Sequence, residues 1–336
     1  MPKCGLQIFL DRGDRTYKLG EPISGVVEIK ANADFHCRKI TLVCEWRARG
    51  SGNQTVHGEQ GAFFAEEENL RSGEAREYPF RFAALRGPVS YQGKLLNVEW
   101  YLRAQVDIAM AVDAMKEEKF LLGPGETSGE IILGTEKSTE NFSETSSRLV
   151  ERMARARVLG VPFFLIGLVM LYFAGSHPLT ITLSLAVAGL GAWQIFLLLS
   201  NKLAQRKLGE IEVNLDVDKV RAADTIECKV SLPSQHAARL QKIVATLKGE
   251  ERVMTGSGNY RRLQTHTIHQ HVVEQLSRDA ISDADKLRLT VPLQIPATAP
   301  STFHAPDNAV AWFIRVQIDI RGWPDWVQEF PLTIVP

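Results

Sequence analysis

The chain has 336 residues, of which 45% are hydrophobic, and its 39 Lys and Arg balance 39 Asp and Glu to a formal net charge of zero. This length predicts two or three domains, and the lack of a basic excess argues against nucleic acid as a partner. Four scattered cysteines without CxxC spacing argue against a zinc knuckle or redox motif and are typical of a reducing compartment.

Residues 1–121 are predicted to form an antiparallel β-sandwich. Apolar and polar residues alternate over 98–108, which is the period of a half-buried strand. Trp100 falls on the apolar phase and is predicted to be a core residue. Shorter alternating segments recur upstream, separated by turn-forming clusters such as 50–53. The pattern is immunoglobulin-like in architecture, but the Cys…Trp…Cys spacing of true immunoglobulin domains is absent.

Residues 122–157 have a different composition. Gly, Ser, Thr and Glu dominate the middle of this segment, which predicts a flexible linker. Its last part is basic, with Arg152, Arg155 and Arg157 leading into an uncharged stretch. We interpret this part as a juxtamembrane segment.

Residues 158–200 contain no Asp, Glu, Lys or Arg. The run is too long for a single span of about 20 residues, and Gly175 and Pro178 interrupt it as a turn would. We therefore predict a transmembrane hairpin of two helices. Small residues in the second helix allow the two helices to approach closely; these are Ala188, Gly189, Gly191 and Ala192.

Basic residues flank the uncharged run on both sides, whereas the turn inside it has none. On the far side they are Lys202, Arg206 and Lys207. By the positive-inside rule both termini are predicted to be cytoplasmic, in an integral membrane protein with two spans. The absence of an apolar signal-peptide core at the start is consistent with this orientation.

Residues 201–336 repeat the first domain. The segment VEWYLRAQVDI at 98–108 matches VAWFIRVQIDI at 310–320 in six of eleven positions, an offset of 212. Trp312 therefore corresponds to Trp100 and is predicted to be a core residue of a second sandwich. The sequence GSGN at 50–53 recurs at 256–259. This density of matches indicates a duplicated domain.

The opening of the first copy has an aromatic residue, a Gly-Glu turn and a glycine in the following strand, at Tyr17, Gly20, Glu21 and Gly25. Later, YPFRF…GPVSYQGKLLNVEWYLRAQVDI combines a proline, an aromatic residue and a long strand ending in Asp, and the second copy repeats this pattern. These residues resemble the arrestin-like domain family. The resemblance implies two arrestin-fold sandwiches and, because arrestins and related retromer and sporulation-control proteins are non-enzymatic, an adaptor or scaffold role. A membrane hairpin between the sandwiches departs from that family's pattern.

The chain contains no nucleotide-binding, nucleophile-elbow or zinc-protease motif. We predict no catalytic residue and no cofactor. The cluster THTIHQH is a candidate metal site: on a strand, His269 and His271 are expected to share one face and His266 to take the other. Two such imidazoles chelate a metal only if a third ligand arrives from elsewhere.

The sequence therefore predicts a membrane-anchored, non-enzymatic adaptor or scaffold that binds protein partners through cytoplasmic β-sandwiches. Two alternatives stay open. One is a metal-dependent sensor or enzyme that uses His266, His269 and His271. The other is an extracytoplasmic surface-binding module with inverted topology.

Overall fold

The computed structural model describes residues 3–125, 160–173, 177–208, 211–217, 219–233, 240–276, 281–282, 286–322 and 324–336. Its architecture is mainly β, in two halves that flank a pair of helices. This confirms the predicted mainly β class. Most of the predicted linker, including Arg152, Arg155 and Arg157, lies outside the described residues.

The first half, residues 3–125, folds as two sheets. Its strands are β1 Cys4–Leu10, β2 Thr16–Lys18, β3 Ile23–Ala31, β4 Phe35–Gly50, β5 Thr55–Leu70, β6 Ala75–Phe82, β7 Tyr91–Gln92, β8 Leu96–Ile108 and β9 Ala114–Gly123. One sheet has the order β1-β3-β6, and the other has the order β2-β9-β8-β4-β5 with β7 beside β8. Apolar side chains of both sheets join in one buried core, so we call this half the first sandwich.

The second half, the second sandwich, repeats this arrangement. Its strands are β10 Glu212–Leu215, β11 Lys219–Arg221, β12 Thr225–Pro233, β13 Leu240–Thr255, β14 Arg262–Leu276, β15 Ile281–Ser282, β16 Lys286–Gln294, β17 Phe303–His304, β18 Asn308–Ile320 and β19 Trp326–Val335. The sheet orders are β10-β12-β16-β15 and β11-β19-β18-β13-β14, with β17 beside β18. They correspond strand by strand to those of the first sandwich, except that β15 has no counterpart among the described strands there.

Each larger sheet contains one parallel pair, β2 with β9 and β11 with β19. The prediction of wholly antiparallel sandwiches is wrong at these two places. Apolar and polar side chains alternate along a strand whether its neighbour is parallel or antiparallel. The sequence pattern of β2 and β11 therefore does not indicate the direction of the strand beside them.

The repeat extends to individual side-chain hydrogen bonds. The indole N–H of Trp100 donates to the Pro88 carbonyl at 2.8 Å, and that of Trp312 donates to the Pro300 carbonyl at 3.0 Å. Both tryptophans are buried. Two further bonds recur at the same offset of 212 residues. The bond from Gln105 to Asp113 corresponds to the bond from Gln317 to Asp325. The bond from the Leu122 N–H to the Ser90 hydroxyl corresponds to the bond from the Ile334 N–H to the Thr302 hydroxyl.

The two helices are α1, Gly160–Phe173, and α2, Pro178–Leu208. Helix α2 continues through residues 201–208, beyond the predicted end of the uncharged run, because NKLAQRKL contains no helix-breaking Gly or Pro. Lys202, Arg206 and Lys207 therefore lie on the last turns of α2. Among the described helices, only residues 178–196 of α2 are long and apolar enough to cross a membrane, and α1 is shorter.

Helices α1 and α2 pack against each other where small residues meet. A Cβ atom added to Gly167 would clash with the backbone of Ala188 on α2, whereas a Cβ on Gly189 would meet nothing within 4 Å. Close approach of this kind is how helices associate when lipid removes the hydrophobic drive between them. Of the predicted small residues, Ala188 and Gly191 are buried, and Gly189 and Ala192 are exposed.

We expect Gly167→Leu to separate α1 from α2, because the added side chain cannot fit against the Ala188 backbone. Cysteines introduced on the two helices should then lose most of their disulfide crosslinking in membranes. Gly189→Leu is the matched control and should leave crosslinking unchanged. Equal crosslinking in both variants would contradict the packing described for the two helices.

Candidate functional site at the junction of the two sandwiches

The two sandwiches pack directly on each other, and equivalent residues of the repeat face each other across their junction. The short strand β7 of the first sandwich lies against β13 of the second, through Tyr91 and Glu251. In return, Phe303 on β17 packs edge-on against Trp46 on β4, with ring centres 5.6 Å apart. Each half thus offers the same element to the other, as the two subunits of a twofold dimer do.

Glu251 is the most deeply placed charged residue of this junction, with 1% of its surface exposed. One carboxylate oxygen accepts hydrogen bonds from the Tyr91 hydroxyl at 2.6 Å and the Lys94 N–H at 2.9 Å. The other oxygen accepts the Leu95 N–H at 2.6 Å. All these donors belong to the first sandwich. Burial, followed by the bond to Glu251, raises the pKa of Tyr91 above its ordinary value, so its hydroxyl stays a donor.

A second polar contact is built around Asn53, the last residue of the first GSGN motif. Its backbone N–H donates to the Met254 carbonyl at 2.8 Å, and its side-chain amide donates to the Gly256 carbonyl and the Asp307 carboxylate, both at 2.9 Å. Asn308, which is fully buried, donates to the Asn53 carbonyl at 2.7 Å. The repeated motif that marks the duplication is therefore also a contact between the two copies.

A cavity of about 520 Å³ lies at the junction and is lined by residues that include Tyr91 and Phe303. Its walls come from both sandwiches and include equivalent positions of the repeat: Pro88 and Pro300, Tyr91 and Phe303, Val98 and Val310, Pro124 and Pro336. Because equivalent residues line opposite walls, the cavity lies on the approximate twofold axis that relates the halves.

A cluster of ion pairs covers the outer face of the larger sheet of the first sandwich. Arg47 on β4 donates to Glu45 at 2.7 Å and to both carboxylate oxygens of Glu117. Its guanidinium lies 4.4 Å from the ring centre of Tyr101, and only 7% of its side chain is exposed. The bonds to Glu117 raise the pKa of Arg47 and lower that of Glu117. The cluster spans the three neighbouring strands β4, β8 and β9.

The histidine cluster is arranged differently from the prediction. A β-bulge shifts the register of β13 and β14, so that His271 lies opposite Leu247, His269 opposite Gly249 and His266 opposite Glu251. These β13 positions alternate regularly, which places the three histidines on one face of β14. The prediction that His266 takes the opposite face is therefore wrong. The bulge adds one residue, Ile268, to β14, and this extra residue turns His266 to the same face as His269 and His271.

The same face carries no metal centre among the described residues, where no group of three His, Cys, Asp or Glu side chains is placed to hold a metal. The His269 ring instead lies 6.1 Å from the Trp312 ring, across the space that Gly249 leaves open. Its Nε2 is buried without a hydrogen-bond partner among the described residues. Within those residues, the third ligand that the metal alternative requires is missing.

The four cysteines are buried and unpaired. Burial raises the pKa of Cys37 and of Cys228 to about 11, and it raises the pKa of Cys44 further still. Since the thiolate is the nucleophile, these thiols are unreactive at neutral pH. They supply no catalytic or redox group to the junction.

Two histidines of the second sandwich have pKa values below the ordinary value. Burial lowers the pKa of His304, with the charge of Arg252 adding to the effect, and burial lowers the pKa of His269. A depressed folded-state pKa means that the unfolded chain binds more protons below about pH 6.5. We therefore expect stability to fall as pH drops below that value, and His269→Gln/His304→Gln to flatten the decline. Thermal unfolding of the wild-type chain and the double variant, measured below pH 6.5, tests this prediction. If stability falls equally steeply with pH in both, the two histidines do not cause the fall.

The matched control is His36 on β4 of the first sandwich. Hydrogen bonds to Asn69 and then to Glu67 raise the pKa of His36. The contribution of His36 to the stability of the fold is therefore fully present below its unfolded-state pKa, and it is lost as pH rises through the folded-state pKa. His36→Gln should make the decline at acidic pH steeper, which is the opposite sign to the double variant.

Two long edge strands border the molecule. β5 ends the larger sheet of the first sandwich, and β14 ends that of the second. β5 carries glycines and glutamates, whereas β14 has only Arg262 and Glu274 as formal charges. Three large apolar side chains of β14 are exposed, namely Leu263, Val272 and Leu276. Natural edge strands usually carry charges that prevent pairing with other chains, and β14 largely lacks them.

No family model matches the chain, and no curated protein matches it. Among solved structures it is similar to the crystal structure of Spo0M, a sporulation control protein from Bacillus subtilis, at 11% identity and a TM-score of 0.33. The match covers 83% of this chain and 92% of that chain. A TM-score of this size carries no conclusion about fold or function. The description as two β-sandwich halves depends on the strand pairings themselves, and the arrestin-like family stays a prediction.

Proposed function

We propose that the protein is a membrane-anchored, non-enzymatic adaptor or scaffold that binds protein partners through the edges of its cytoplasmic β-sandwiches. The observation that carries the proposal is the long, weakly charged edge strand β14. An edge strand presents a row of unpaired backbone N–H and C=O groups, to which an extended partner segment adds by backbone hydrogen bonding. The contacts of Glu251 and Asn53 hold this edge at a fixed position relative to the first sandwich.

Membrane attachment is supported by the surface of α2. Leu183, Leu190 and Trp193 are more than half exposed, and only 11% of the apolar stretch 178–196 is buried. A core helix of a soluble protein is mostly buried, so this surface favours contact with lipid. Lys202, Arg206 and Lys207 follow the apolar stretch and favour a cytoplasmic position for the second sandwich.

The hairpin form of the anchor is part of the proposal. The contact of Gly167 with Ala188 pairs α1 with α2. The 14 residues of α1 extend about 21 Å, against a hydrocarbon core of about 30 Å. Local thinning of the bilayer at α1 accommodates this difference at modest cost. With both helices in the membrane, both sandwiches lie on one side and dock there.

Site-specific photocrosslinking in cells tests partner binding. A photoreactive amino acid at Gln270, which is exposed on β14, should give a discrete protein adduct. Val272→Lys adds an edge charge of the kind that prevents strand addition and should reduce the adduct several-fold. Phe63→Lys, at an exposed position of β5, is the matched control and should leave the yield of the adduct unchanged. The absence of a protein adduct, or an adduct that is equal in both variants, would overturn the proposal.

A further inference from the structure

The cavity at the junction has the dimensions of a small-molecule site. Its volume of about 520 Å³ lies within the range of about 300–1,000 Å³ that is typical of ligand pockets, and such pockets occur preferentially between domains. The two sandwiches contribute walls from equivalent positions, so a molecule bound there touches both halves at once.

The side chains of the walls are uncharged. Among the residues that the structure describes, no Asp, Glu, Lys, Arg or His side chain lines the cavity. Apolar side chains of both halves form most of the surface, including Val89, Val98, Ile268, Phe303 and Val310. Burying an unpaired ionic group against such walls is costly, and these side chains offer no charged partner for a phosphate, carboxylate or ammonium group.

A few neutral polar groups are available at the walls. The Tyr91 hydroxyl is engaged by Glu251, and the Ser90 hydroxyl accepts the Leu122 N–H. Gln92, Thr298 and Ser301 also line the cavity, and within the described part of the chain their side chains make no hydrogen bond. They provide donors and acceptors for one neutral polar group, and the remaining walls suit a hydrocarbon chain.

We propose that this cavity binds one uncharged alkyl-chain lipid, with its chain on the apolar walls and its hydroxyl or ester group near Gln92, Thr298 or Ser301. The cavity shares Ile268 with the partner-binding edge β14, but the two proposals are tested by different substitutions and different readouts, so either can fail without the other. Because the ligand contacts both sandwiches, it stabilises their closed arrangement by mass action.

The test uses the full chain in lipid nanodiscs with a photoreactive long-chain alcohol, followed by mapping of the labelled peptides. We expect labelling within 88–98 and 297–310, in addition to labelling of α1 and α2 by probe dissolved in the bilayer. An excess of unlabelled long-chain alcohol should compete at the junction, and an alkyl sulfate of the same chain length should not. Labelling confined to the helices, or equal competition by the sulfate, would overturn the proposal.

A variant that fills the cavity with a larger side chain distinguishes labelling at the junction from labelling at the helices. Ala299 is half-buried in the cavity wall, and Ala299→Trp should reduce labelling of the junction at least tenfold while labelling of the helices stays constant. Ala83→Trp, at an exposed position outside the cavity, is the control. If Ala299→Trp changes the proteolysis pattern of the folded chain, Ser301→Phe replaces it. Unreduced junction labelling in a folded filling variant would show that the probe binds elsewhere.

Discussion

Replacing Glu251 by alanine should release the two sandwiches from their fixed arrangement. The change leaves the Tyr91 hydroxyl and the Lys94 and Leu95 N–H groups without their acceptor. Each buried donor left unsatisfied costs about 1–3 kcal/mol, and water entering the space offsets part of this loss. We expect the junction to lose several kcal/mol, enough to populate open arrangements.

Spin labels on the two sandwiches measure this opening. Glu77 on β6 and Thr290 on β16 are exposed and serve as labelling sites after replacement by cysteine, because the native thiols are buried. The wild-type chain should give one narrow distance distribution, and Glu251→Ala should give a broad one.

Tyr91→Phe is the control for the Glu251 variant. It removes one donor and leaves the carboxylate bound to two backbone N–H groups. The expected cost is about 1 kcal/mol, and the distribution should stay narrow. An unchanged distribution in Glu251→Ala would show that the carboxylate does not hold the junction.

Replacing Arg47 by alanine should unfold or severely destabilise the first sandwich. Arg47 forms a buried ion pair with Glu45, whose side chain is 4% exposed, and it also binds the more exposed Glu117. Its removal leaves Arg103, at 3.5 Å, as the remaining cation beside Glu45 among the described residues. Breaking a buried ion pair by removing one partner costs about 3–5 kcal/mol. Denaturant-dependent proteolysis of the first sandwich in the full chain measures the change.

Arg49, two residues further along the same strand, provides the matched control. Within the described residues it forms no ion pair, and its guanidinium lies 5.5 Å from the Tyr101 ring centre. Arg49→Ala should therefore cost less than about 1 kcal/mol. Equal destabilisation by the two variants would mean that loss of side-chain packing, rather than the ion pairs, determines the result.

Much of the fold follows from local pattern. The alternation over 98–108 predicts β8 and the burial of Trp100, and the match at 310–320 transfers both features to β18 and Trp312. These predictions succeed because strand period and residue polarity are local properties. The parallel pairing of β2 with β9 was not predicted, since direction depends on a partner about 100 residues away.

The junction is less accessible to sequence reasoning. Glu251 lies in a polar run of β13, and its equivalent in the first copy is Ala48, so the repeat gives no sign of its role. Only the docking of one sandwich on the other buries its carboxylate. The GSGN motif indicates duplication, but the contact of its Asn53 with Met254 and Asp307 forms only when the second half is in place. The bulge at Ile268, which realigns His266, is likewise set by pairing with β13.

We propose that a membrane hairpin holds the two docked sandwiches on the cytoplasmic side. The most direct measurement is to fuse a reporter that is active only in the cytoplasm to the C-terminus, and separately to the N-terminus, of the full chain. We expect both fusions to be active. Activity at one end only would contradict the hairpin, and inactivity at both ends of a membrane-inserted chain would place the sandwiches outside and replace the adaptor with a surface-binding module.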